Sequence, residues 1–103
     1  MEIFMLESNL EQSVRKYVAR CGGKAYKWVS PGNPGVPDRI CLFPGGRVVF
    51  VELKKPGVKD GRSERQKKVM AYLQRLGFEV WLINDRQEFI ERLTALGVKP
   101  LEV

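Results

Sequence analysis

The sequence contains no histidine. That absence removes the Ser-His-Asp triad, the Cys-His pair, the histidine-ligated zinc protease and every histidine-dependent nuclease mechanism. Cysteine is scarce: Cys21 and Cys41 are the only two, with no CxxC pair. The expectation is two buried free thiols in a reducing compartment, against a disulfide framework or a zinc site. No apolar run approaches the ~20 residues that a membrane span needs. The opening "MEIFML" lacks the basic start and the small-residue cleavage site of a secretory signal. The expected location is the cytoplasm, with no membrane partner. No GK[ST] triplet occurs, so there is no P-loop, and no repeat or low-complexity tract appears. Hydrolytic chemistry in such a chain has to rest on carboxylates, lysine and a metal that prefers oxygen ligands.

What is present fits one domain over residues 1–103. The chain is 44% hydrophobic and 29% charged, a globular composition large enough for one modest core. Its net charge of +6 is unevenly spread. Residues 54–68 hold seven basic side chains against Asp60 and Glu64, a local +5. Such a cluster is the electrostatic footprint of a phosphate-rich partner, although a solvated helix face has the same composition.

Periodicity predicts a helix from about Ser8 to Cys21, stopped by Gly22-Gly23. Strand "KAYKWV" (24–29) follows, then the loop "SPGNPGVP" (30–37), which prolines and glycines keep irregular. Residues 36–55, "VPDRICLFPGGRVVFVELKK", read as a hairpin turning through Pro44-Gly45-Gly46. A second helix covers about Ser63 to Leu76, a strand 78–83, and a third helix Asp85 to Leu96. The order α-β-β-β-α-β-α means a mixed sheet with helices packed on it.

The hairpin carries acids where a buried strand should have none. With a three-residue turn, Phe43 faces Arg47 and Asp38 falls opposite Glu52. Opposed residues project to one face, and Lys54, two residues on, points the same way. The adjacent apolar positions of that face are Ile40, Leu42, Val48 and Phe50; the other face carries Cys41, Phe43, Val49, Val51 and Leu53. Two facing carboxylates repel. Lys54 neutralises them, or one stays protonated, or a divalent cation sits between their oxygens. Mg²⁺ fits the third case, since it takes oxygen ligands and keeps several waters.

These residues carry a resemblance. "GVPD", thirteen residues and "ELK" look like the PD-(D/E)xK nuclease signature. Together with "LEQSV", "KWVSPGNPGVPDRI", "GGRVVFVELKKPG", "SERQKKV" and "LGFEVWLI", the chain resembles the VRR-NUC family, in its small stand-alone phage and prophage form. The resemblance implies a restriction-endonuclease-like αβββαβ core of four strands flanked by helices, with a C-terminal helix added. It implies a metal-dependent DNA endonuclease using Mg²⁺ or Mn²⁺, acting in phage replication, recombination or repair inside a bacterial host. Asp38 and Glu52 would then bind the metal, the Leu53 carbonyl would add a ligand, and Lys54 would assist the attacking water. Glu11 matches a family glutamate that approaches the metal through water, and Gln66 matches a family glutamine. Both have rival readings: Glu11 completes a capping box with Ser8, and Gln66 one with Ser63.

Lys55, Lys59, Arg62, Lys67 and Lys68 are the expected DNA contacts, while Trp28 and Trp81 are expected in the core. Small phage members resemble Holliday-junction resolvases, so a homodimer is expected, with "IFML" as one apolar surface for it. The rival readings are a non-catalytic DNA-binding module on the same fold and a nuclease acting on flaps or RNA.

Overall fold

Pro44, Gly45 and Gly46 turn the chain back on itself, and the two glycines take φ of +86° and +79°, a region that disfavours side chains. In the structure, a computed structural model that describes residues 6–55 and 57–101, this turn joins β2 (Arg39–Phe43) to β3 (Arg47–Leu53). Phe43 pairs with Arg47 and Cys41 with Val49, the register a three-residue turn requires. Around the hairpin lie α1 (Leu6–Arg20), β1 (Lys24–Lys27), α2 (Glu64–Arg75), β4 (Glu79–Ile83) and α3 (Arg86–Ala95). The four strands lie in chain order; β1, β2 and β3 are antiparallel and β4 is parallel to β3. This is the expected mixed sheet flanked by helices.

The alternation along β2 and β3 divides the core. Cys41, Phe43, Val49, Val51 and Leu53 meet Leu10, Val14, Tyr17 and Val18 of α1, Cys21 just beyond it, and Phe89 and Leu93 of α3. On the opposite face Phe50 and Val80 pack under Met70 and Leu73 of α2, with Trp28, Ile40, Val48 and Leu82 at the margin. Trp81 belongs to the first cluster and Trp28 stacks near Phe50 at 5.1 Å, so both tryptophans pack as core residues. Both cysteines are free and buried. Burial pushes the Cys41 thiol up to about 12, which makes it inert as a nucleophile at neutral pH. Among the described residues no helix is long and apolar enough to cross a membrane.

Two boundary readings change. α1 runs from Leu6, which places Ser8 inside the helix rather than at its N-cap. The sequence "LESN" contains nothing that stops a helix from extending back one turn. β1 ends at Lys27, leaving Trp28 and Val29 in the following loop, though the Trp28 amide still donates to the Asp38 carbonyl at 2.8 Å. Ile3, Phe4 and Met5 of "IFML" lie outside the described residues.

The loop 30–37 is seated on α2 through Gly35. Its φ is +98°, and a Cβ there would lie 2.8 Å from Arg65 Cγ and 3.2 Å from both the Arg65 carbonyl oxygen and Val69 Cγ2. Gly32 in the same loop has open space around it and no such φ. Gly35→Ala is therefore expected to destabilise the fold by about 1–3 kcal/mol, and Gly32→Ala by no more than about 0.5 kcal/mol. Urea midpoints measured side by side check the contrast; equal midpoints would show that the loop does not rest on α2.

Candidate active site

Beyond the last paired residues of the hairpin, the two strands continue to bond through their acids. The Asp38 amide donates to Glu52 Oε1 at 3.1 Å, and the Leu53 amide donates to Asp38 Oδ2 at 3.0 Å. Each carboxylate accepts an N–H from the other strand. That exchange fixes both side chains on a rigid support, with Pro37, fully buried, locking the chain ahead of Asp38. The β3 end is held from its other side by β4: the Lys54 amide donates to the Ile83 carbonyl at 2.9 Å.

Glu52 is only 2% exposed, an unusual setting for an acid. Burial first, and then the negative charge of Asp38, raise its carboxyl above the usual range, while Lys54 and Gln66 pull the other way. Lys54 Nζ lies 3.2 Å from Glu52 Oε2, and Gln66 Nε2 donates to the same oxygen at 2.8 Å. Gln66 forms the capping box with Ser63 and also touches Glu52. Its amide accepts the Ser63 N–H through Oε1 and its own N–H donates to Ser63 Oγ, while Nε2 reaches Glu52. The cap of α2 and the support of the acid are one side chain.

The donor set, two carboxylates with neither histidine nor cysteine grouped beside them among the described residues, suits a hard cation. Among the described residues no group of three or more His, Cys, Asp or Glu side chains gathers anywhere, so the site offers two acids, not three. Glu11 is not joined to them. It pairs instead with Arg39, whose guanidinium also donates to the Ala25 carbonyl at 3.3 Å. Arg39 was missed by sequence reasoning. The available signal was its register, which places a cation on the Cys41–Phe43 face, where burial demands an acidic partner.

Of the expected phosphate contacts, Lys55, Lys59, Lys67 and Lys68 are exposed around the β3–α2 connection. Arg62 is engaged: its Nε and Nη2 bind the two oxygens of Asp60 at 3.0 and 2.9 Å, and the pairing holds the Asp60 carboxyl well below its ordinary range. Lys67 lies 3.5 Å from Glu64.

No family model matches the chain. A protein named "Putative nuclease p44", from Acyrthosiphon pisum secondary endosymbiont phage 1, is 40% identical over 91 residues, which cover 88% of this chain and 95% of that protein. A solved structure described as "VRR_NUC domain" shares the fold with a TM-score of 0.78, at 21% identity, covering 86% of this chain and 94% of that one. The chain belongs to the VRR-NUC nuclease family. In this VRR-NUC chain the motif acids Asp38 and Glu52 and the motif lysine Lys54 stand together at one end of the sheet, beside the N-terminus of α2.

The raised carboxyl of Glu52 has a consequence for stability. The native state holds that proton more tightly than the unfolded chain, whose glutamates titrate near 4.3. Stability is therefore lost as pH rises through the raised value, and the loss is absent below the unfolded value. Glu52→Gln removes the titration. Its melting temperature relative to the native sequence should climb as pH rises from about 4, then level off once Glu52 of the native chain is ionised. A difference that stays flat across this range would show that Glu52 carries no such penalty.

Proposed function

We propose that this chain is a metal-dependent endonuclease that hydrolyses phosphodiester bonds of DNA, with Asp38, Glu52 and Lys54 at its reacting centre. The observation that carries the reading is the pair of carboxylates fixed by the opposite strand's amides, with a lysine 3.2 Å from one of them. Ionised, the three groups sum to one negative charge, which would repel a phosphodiester. A bound Mg²⁺ or Mn²⁺ reverses that sign, polarises the phosphate and lowers the pKa of its water. Asp38 and Glu52, with the Leu53 carbonyl, are the residues that would hold it.

The protein side chains supply the rest. Lys54 delivers a positive charge toward the phosphorus as negative charge builds on its oxygens, and it orients the attacking water. Gln66 keeps Glu52 aimed while the lysine moves from carboxylate to substrate. Glu11 would reach the cation through water once its pairing with Arg39 opens. Lys55, Lys59, Lys67 and Lys68, with Arg62 braced on Asp60, flank the site as phosphate contacts. Phosphate contacts position a strand without reading its sequence, which suits an enzyme selecting DNA by shape, such as a four-way junction in phage recombination or repair.

Cutting two symmetric strands takes two sites related by a two-fold axis, and a homodimer provides them. Tyr72 of α2, Leu76 at its C-cap, Phe78 and Leu42 are exposed apolar residues that a second copy would cover. Sedimentation at micromolar concentration should give a dimer, and Leu76→Glu with Tyr72→Glu a folded monomer. A native chain that sediments as a monomer contradicts the symmetric reading.

Cleavage tests the chemistry. Supercoiled, flapped and four-way-junction DNA should be cut with Mg²⁺ or Mn²⁺ and not in EDTA, and Asp38→Asn or Glu52→Gln should abolish the activity. Lys54→Ala should lose turnover by a factor of 10² or more while DNA affinity falls only modestly. Full cleavage in EDTA, or by either acid variant, would refute the assignment; a Lys54→Ala defect restored by more DNA would make it a binding residue.

A further inference from the structure

A cleft of about 680 Å³ runs between α1 and the outer edge of β1, away from the 54–68 segment that dominates the charge of the sequence. Its lining includes Gln12, Arg15, Lys16, Lys24, Lys27 and Arg39, with no acidic residue among them. Among the described residues Arg15, Lys16, Lys24 and Lys27 have no carboxylate at ion-pair distance, whereas Lys54, Arg62 and Lys67 each have one. The structure thus creates a second cationic surface that a count along the chain does not see.

Its geometry is that of a track. Gln12, Arg15, Lys16 and Ala19 form one stripe of α1, about 10 Å long at 1.5 Å per residue. Lys24 to Lys27 run a similar length along β1, at ~3.3 Å per residue. At the inner end Lys27 pairs in register with Arg39, the residue after Asp38. The Arg39 side chain is 10% exposed, and its Nε–H finds no acceptor among the described residues. Tyr26, on the same edge, stays half exposed. Lysines on an edge strand also serve to discourage strand addition. That accounts for Lys24, whose ammonium lies 5.3 Å from the Tyr26 ring centroid, and for Lys27, but not for Arg15 and Lys16 on the helix.

We infer that this cleft binds the phosphodiester backbone of the nucleic acid as a second contact, leading along β1 toward Asp38. The inference rests on the reading of the chain as a DNA-acting enzyme. Each row of cations spans about three nucleotides of one strand at 3.4 Å per step. A substrate engaged here and at the 54–68 segment contacts the protein on both sides of the sheet end, as a branched or bent molecule does.

The test is the salt dependence of binding, measured by fluorescence anisotropy with labelled duplex and four-way-junction DNA in EDTA between about 50 and 200 mM salt. The variants are Arg15→Ala with Lys16→Ala, and Lys24→Ala with Lys27→Ala; all four side chains are exposed, and circular dichroism confirms the fold. Each pair should lower the log–log slope by about 0.9 per lost contact. An unchanged slope in both folded variants overturns the cleft. Cleavage with Mg²⁺ on the same samples separates the two claims. A native protein that cuts, beside variants of unchanged slope, loses only the cleft. Reduced slopes beside a native protein that never cuts support the cleft and reject the nuclease reading.

Discussion

Two hydrogen bonds, from the Asp38 amide to the Glu52 carboxylate and from the Leu53 amide to the Asp38 carboxylate, tie off the end of the sheet and hold the site together. Each acid accepts a backbone N–H from the neighbourhood of the other, so the β2–β3 ladder ends in carboxylates rather than in frayed strands. The arrangement costs stability, because Glu52 is almost wholly buried and faces a like charge. It persists because everything around it is over-determined: the turn fixes register, β4 holds the strand end, and Lys54 and Gln66 share one Glu52 oxygen. Strain concentrated at one point and supported from all sides is a familiar property of functional sites.

The two faces of the sheet divide the labour. α1 and α3 cover the larger core and secure the fold. α2 covers a smaller cluster, and its first turn brings Gln66 to the acids. That first turn is set by the Ser63–Gln66 cap and by the close seat of Gly35 against Arg65 and Val69. Positioning of the acid and folding of the second helix are therefore coupled through a few residues, which ties changes in the loop 30–37 to the geometry of the site.

Much of this was legible in the sequence because short-range rules governed it. A Pro-Gly-Gly turn admits one register, and strand alternation then forces Asp38, Glu52 and Lys54 onto one face. Gln66 was ambiguous for a physical reason: a capping box and a contact with Glu52 call for the same residue, and its two amide atoms satisfy both. The Glu11–Arg39 pair was not legible, since it links residues 28 apart and depends on how α1 is rotated over the sheet. Charge counting also misled. It weighted Arg62 like any free cation, although Asp60 two residues earlier holds it, and it diluted the cations of α1 and β1 that the fold gathers into one cleft.

Asp38 and Glu52 would together form a cation site and not merely a buried ion cluster with Lys54. Titration of the protein alone with Mn²⁺, followed by the paramagnetic signal of the free ion, tests it without any substrate. The native chain should bind Mn²⁺ saturably, Asp38→Asn and Glu52→Gln should both lose that binding, and Lys54→Ala should bind as well or more tightly. Equal Mn²⁺ binding by the native chain and both acid variants would show that the two carboxylates hold no cation.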